Sequence, residues 1–183
     1  MIGAVRMMLV RVARLGPDIR GAALIEFAFT VPVLLLLFVG GFQISDAIFA
    51  YRKVTATTRT IADLTTQQTK LTDADIDKIL NASQQVLTPY KLSATRMRVS
   101  QVSIDNSGNP TVDWSRGKNM PGMSPGSPFY VPPTFKRNQT TIVVSEVFYN
   151  YVPGFASSMI GTLAMKDRID MNPRKSVKID RTP

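Results

Sequence analysis

The chain is 183 residues long and carries 22 Lys and Arg against 13 Asp and Glu, giving a net charge of +9 and a pI near 10.1. It contains neither His nor Cys, which excludes a Ser-His-Asp triad, a thiol nucleophile, the common His or Cys zinc sites and a disulfide framework. Glu26 and Glu146 are its only glutamates.

Residues 1–21 form a basic leader, with Arg6, Arg11, Arg14 and Arg20 facing only Asp18. Residues 22–42 are apolar apart from Glu26, Thr30 and the glycines, and about 20 such residues cross roughly 30 Å of hydrocarbon. This is too long for the apolar core of an ordinary signal peptide. The positive-inside rule keeps the leader in the cytoplasm and exports the chain beyond the apolar run. Arg52 and Lys53 lie some ten residues past that run. Glu26 is unusual here, because a charge near the bilayer centre costs roughly 2.5–3.5 kcal/mol. It lies about five residues into the run, on the order of 7 Å along a helix, where an acid reaches the headgroups or needs a partner.

The helical pattern continues past the apolar run. Ile44, Ile48, Tyr51, Val54, Ile61 and Leu64 recur at three- and four-residue steps or their multiples, predicting an amphipathic continuation over residues 43–69. One helix from residue 22 to about residue 68 spans on the order of 70 Å. Pro32 and the Gly40-Gly41 pair are its expected kink points.

A second helix is expected over residues 71–87, with Thr72 as N-cap and Asp73 and Asp75 in the first turn, where carboxylates favour the positive end of the helix dipole. The Asp73, Asp75, Asp77 spacing resembles a calcium loop, but Lys78 and Gln84 occupy the positions where that loop needs Gly and Glu. No metal site is therefore expected. After Pro89 the pattern becomes β-like: residues 96–104 and 111–114 flank the turn residues 105–110 as a hairpin. Residues 120–133, rich in Pro, Gly and Ser, read as an exposed loop. Residues 140–151 are the strongest strand and residues 162–171 its partner. The expected fold is α+β: a long N-terminal helix, a second helix and an antiparallel sheet of about four strands, the last two elements forming one exported domain over residues 70–183.

Gly21 stands five residues before Glu26 at the head of an apolar helix, which resembles the processing site of type IV pilin precursors. Gly21, Glu26, Phe27, Ala28, Pro32 and Leu34, Leu35, Leu36 and Leu37 also match the pattern of the TadE/TadG-like proteins of tight adherence (Tad) pilus assembly. That resemblance covers about the first third of the chain and implies a pilin-like architecture. It also implies cleavage between Gly21 and Ala22 by a prepilin peptidase, with Glu26 and Phe27 serving assembly. The implied setting is the bacterial inner membrane, with an inner-membrane pilus platform and other pilin-like subunits as partners. Pilins commonly begin with phenylalanine, and Tad major pilins usually follow the glutamate with tyrosine. Ala22 and Phe27 depart from this and favour a minor component, with an uncleaved, signal-anchored assembly factor as the alternative.

Nothing in the rest of the sequence points to catalysis or a cofactor. Ser115 and Lys118 match the Ser-x-x-Lys form of penicillin-binding enzymes, but both companion motifs are missing and the segment reads as a loop. The net positive charge invites a nucleic-acid reading, but part of it lies in the leader. The tail mixes Lys166, Arg168, Arg174, Lys175, Lys178 and Arg181 with Asp167, Asp170 and Asp180, as a solvated strand and tail does. No nucleic-acid partner is expected. Strand alternation puts Val147, Tyr149 and Tyr151 on one face and Glu146, Phe148 and Asn150 on the other, which singles out Phe148 as a partner contact.

Overall fold

A computed structural model describes residues 19–155, 157 and 161–182. The leader arginines Arg6, Arg11 and Arg14, and Asp18, lie outside the described residues. The chain divides into two compact units, the first ending at Ile44 and the second running from Ser45 to Pro183.

Helix α1 (Ile19–Thr66) runs through Pro32 and the Gly40-Gly41 pair without interruption. In the first unit the apolar side chains are uncovered: Leu24, Phe29, Leu36 and Phe38 are each at least 70% exposed.

In the second unit, β1 (Lys70–Thr72) leads into α2 (Asp73–Gln84). Thr72 caps α2 as expected, accepting from the Asp75 N–H at 3.1 Å while the Asp75 carboxylate accepts from the Thr72 N–H at 3.3 Å, a reciprocal capping box. Strands β2 (Thr95–Ile104), β3 (Pro110–Lys118), β4 (Thr140–Tyr151) and β5 (Leu163–Met171) form an antiparallel sheet in the order β3-β2-β4-β5. The fold is the expected α+β arrangement. A short β6 (Asp180–Thr182) pairs in parallel with β1, a second small sheet that the sequence pattern does not reveal.

The two faces of the sheet are covered differently. Against the inner face, Val54 and Ile61 of α1 and Ile76 and Leu80 of α2 pack with Met97, Val99, Val143 and Val147. On the outer face Val102, Ile104, Val112, Ile142 and Val144 pack with Val131 from the segment after β3. That segment is thus partly a lid on the sheet and not wholly exposed as expected. Two glycines permit its close return: a Cβ on Gly117 would lie 2.2 Å from the Met120 carbonyl oxygen, and one on Gly122 would lie 2.7 Å from that of Ser115.

The buried stripe of α1 differs from the expected one. Val54 and Ile61 are buried, but Ile44, Ile48 and Tyr51 are 65%, 50% and 46% exposed. The helix instead turns Ala50, Thr57, Thr58, Ala62 and Thr65 inward. Small residues bring the helix close enough for the buried Ser145 hydroxyl to donate to the Thr58 carbonyl at 2.8 Å. The Thr57 and Thr58 hydroxyls donate to carbonyls four residues earlier, at 2.9 Å each, so their polarity is satisfied within the helix.

The basic tail is also more ordered than a solvated segment. Arg174 pairs with Asp63 at 2.5 Å and gives its backbone N–H to the Thr66 carbonyl at the end of α1. Arg181 pairs with Asp73 at 2.6 Å, Arg168 pairs with Asp170 at 2.8 Å, and Ile179 is fully buried. Two of the tail arginines, Arg174 and Arg181, thus find acids on α1 and α2, which a one-dimensional charge count cannot register.

Candidate functional site

The first set of candidate residues lies on the opening turns of α1. Gly21 is helical, two residues after the first described residue, and Ala22, Glu26 and Phe27 follow on the same uncovered segment, with Phe27 66% exposed. Among the described residues, a Cβ added at Gly21 meets no other atom within 4 Å, so packing among them gives no reason for glycine there. Pro32 has no N–H to offer the Ala28 carbonyl one turn earlier, yet the helix continues past it. Among the described residues α1 is the one helix long and apolar enough to cross a membrane, and its most apolar window has no buried residue.

A second cluster begins at Asp46, just past the apolar run. Tyr151, at the end of β4, donates its hydroxyl to Asp46 Oδ2 at 2.5 Å. Tyr90 donates to Oδ1 at 2.9 Å and to the Asp46 carbonyl at 3.1 Å. The Tyr90 ring meets Tyr149 and Tyr151 edge-on, with centroids 6.3 Å apart in both cases. Burial, and then the Asp46 carboxylate, push the Tyr90 phenol up from 10.0 to about 12, and the same causes raise Tyr151. Both tyrosines therefore stay protonated donors in ordinary conditions. The sequence carried only a faint signal of this: a lone acid four residues past an apolar run, and aromatics at Tyr90 and Tyr151 far along the chain.

The acidic triplet in α2 does not face a common ligand. Asp75 is used in the cap, while Asp73 and Asp77, one turn apart, reach Arg116 of β3 at 3.2 and 2.7 Å. The Arg181 guanidinium holds the Asp73 carboxyl below the usual range, and Arg116 does the same for Asp77. These acids tie α2 to β3 and β6. Ser115 and Lys118 lie in β3 and not in a loop as expected, and three residues apart in a strand they point to opposite faces. Ser115 shares a hydrogen bond with Ser100 at 2.8 Å, while Lys118 reaches Gln84 of α2 at 2.5 Å. A serine-lysine pair does not form.

Phe148 lies half-buried on the outer face, as alternation predicts. Its ring is flanked by Arg96 of β2 at 5.7 Å and Lys166 of β5 at 5.2 Å from the centroid. One register step away Arg98 pairs with Glu146 at 2.5 Å, and Arg168 lies over Phe129 at 4.9 Å. The result is an aromatic patch flanked by cations on the outer face, towards the Tyr151 end of β4. Among the described residues no three acids, histidines or cysteines gather as a metal site.

Residues 21–63 match the family model of TadE-like proteins. No curated protein and no solved structure matches the chain. The matched segment begins at the glycine singled out by its spacing from Glu26 and ends within the part of α1 that packs on the sheet.

Proposed function

We propose that the chain is a minor, pilin-like, membrane-anchored component of a Tad-type pilus assembly or secretion machine, processed after Gly21 by a prepilin peptidase. The observation that carries this reading is the TadE-like match over residues 21–63, on a helix whose first half is apolar and uncovered. Residues 22–42 span the bacterial inner membrane, residues 1–21 stay in the cytoplasm, and the α+β domain is exported. Cleavage frees the amine of Ala22, whose reference pKa is near 8. In lipid that amine pairs with the Glu26 carboxylate of a neighbour and sets axial register. Glycine at position 21 then serves the peptidase, in keeping with its having no close contact among the described residues.

In this reading the protein works by assembly, through a pilus platform and sibling pilin-like subunits. Phe148 and its flanking cations are the surface offered to one of them. A strain lacking the chain should assemble no Tad pili, wild-type protein should restore them, and Gly21→Ala should not. Full restoration by Gly21→Ala would sink the processing step.

The helical conformation of Gly21 and Ala22 favours one other reading, since a peptidase must unwind a helix to cut it. The chain would then be an uncut, signal-anchored factor that guides pilins without joining the filament.

A further inference from the structure

Asp46 lies four residues beyond Phe42, about 6 Å along the helix at 1.5 Å per residue. A bilayer adds about 5–8 Å of headgroup region on each side of its hydrocarbon. If residues 22–42 span the membrane, Asp46 is at headgroup depth. The Tyr151 hydroxyl is fixed to the Asp46 carboxylate at 2.5 Å, so the end of β4 and the connection after it begin at the same level.

Several exposed side chains there are apolar. On α1, Ile48, Phe49 and Tyr51 are 50%, 58% and 46% exposed, and after β4 Val152 and Phe155 are 58% and 66% exposed. An exposed cation, Arg52, follows Tyr51 in sequence and another, Lys91, follows Tyr90, while the Asp46 carboxylate accepts two phenol hydroxyls. The β2–β3 turn at the opposite end of the sheet is polar. There β2 and β3 are joined by Asp105, Asn106, Ser107, Gly108 and Asn109, and the Asp105 carboxylate accepts from the Ser107 and Asn109 N–H groups at 2.8 and 2.7 Å. The end at Asp46 thus combines exposed apolar and aromatic side chains with nearby cations at the level where the helix leaves the apolar run. Aromatic and basic residues gather at membrane interfaces, where a ring is half in lipid and a cation meets anionic headgroups.

We propose that this end of the domain is a lipid-seating rim, with Val152 and Phe155 of the β4–β5 connection lying beside Ile48, Phe49 and Tyr51 in the headgroup–acyl boundary. The occupant of the apolar surface is the bilayer that holds α1. This rests on reading residues 22–42 as the anchor. The Asp46–Tyr151 bond serves the arrangement by fixing the β4–β5 connection to the helix at the level where the helix leaves the hydrocarbon.

The absence of native cysteine makes single-site labelling clean. Phe155→Cys, Val152→Cys, Ser107→Cys and Leu36→Cys would each be made in the full chain, labelled with an environment-sensitive fluorophore and reconstituted into vesicles of phosphatidylcholine and phosphatidylglycerol. Nitroxides attached to the lipid headgroup or the mid-acyl chain then report depth. Labels at positions 155 and 152 should be quenched by the headgroup nitroxide, the label at 36 by the acyl nitroxide, and the label at 107 by neither. Labels at 155 and 152 as unquenched as that at 107, with position 36 still quenched, would overturn the rim and leave the anchor standing. An unquenched label at 36 would remove the anchor and the rim with it. Labels at 155 and 152 shielded from water but unquenched by either lipid, and exposed again on dilution of the protein in lipid, would assign the surface to a second copy instead.

Discussion

Replacing Asp46 with Ala should destabilise the α+β domain by about 2–3 kcal/mol. The Tyr151 hydroxyl would lose its acceptor at 2.5 Å, and the Tyr151 side chain is only 2% exposed. A buried donor left unsatisfied costs about 1–3 kcal/mol. Tyr90 is hurt less, because its hydroxyl also reaches the residue-46 carbonyl at 3.1 Å, so its share is about 0.5 kcal/mol. At about 4 °C per kcal/mol for a domain of this size, the midpoint should fall roughly 8–12 °C. Urea unfolding of the full chain in detergent, followed by the fluorescence of Trp114, the single tryptophan, reads the change. Tyr151→Phe alone should cost about 1 kcal/mol, and Asp46→Ala made in that background should add much less than it does alone. Alkaline titration gives an independent reading. Tyr90 has a folded pKa above its unfolded value of 10.0, so its contribution to stability is complete below pH 10 and is lost as pH rises towards about 12. Asp46→Ala should shift the Tyr90 phenol downward but not fully to 10.0, since burial is the larger cause. A change below about 0.5 kcal/mol, within the scatter of ordinary surface substitutions, would refute the clamp.

Asp73 and Asp77 have folded pKa values below the ordinary 3.8, so their contribution is present above about pH 4 and lost as pH falls through the depressed values. Asp73→Asn with Asp77→Asn should therefore flatten the acid limb of a stability–pH curve, and an unchanged limb contradicts the network. Leu80→Ala, at a fully buried position between α2 and the sheet, should cost about 2–5 kcal/mol in the same unfolding assay. Phe148→Ala should cost no more than about 1–2 kcal/mol, less than the 3–5 typical of a core Phe. A loss of several kcal/mol would make Phe148 a core residue and end its candidacy as a partner contact.

Strands and helices were legible because their signals are local. The alternation of β4, the Thr72 cap and the turn residues 105–110 each act within a few residues, and the structure reproduces them. What the sequence did not disclose depends on partners far along the chain. Ile44, Ile48 and Tyr51 share a helical period with Val54 and Ile61, but periodicity cannot distinguish an apolar stripe that meets the sheet from one left outside it. The close helix–sheet approach at Thr57, Thr58 and Ser145 uses small polar residues, which a hydrophobic pattern overlooks. The tail arginines read as solvated because their acids, Asp63 and Asp73, lie on α1 and α2, more than a hundred residues away. The same distance in sequence conceals the Asp46–Tyr151 bond.

The pilin-like reading is tested most directly at its first chemical step. The protein purified from native membranes would be subjected to N-terminal sequencing and intact-mass measurement beside a Gly21→Ala control. The expected result is a start at Ala22 in the wild type and at Met1 in the control. A start at Met1 in both would contradict processing and make the chain a permanent signal-anchored factor.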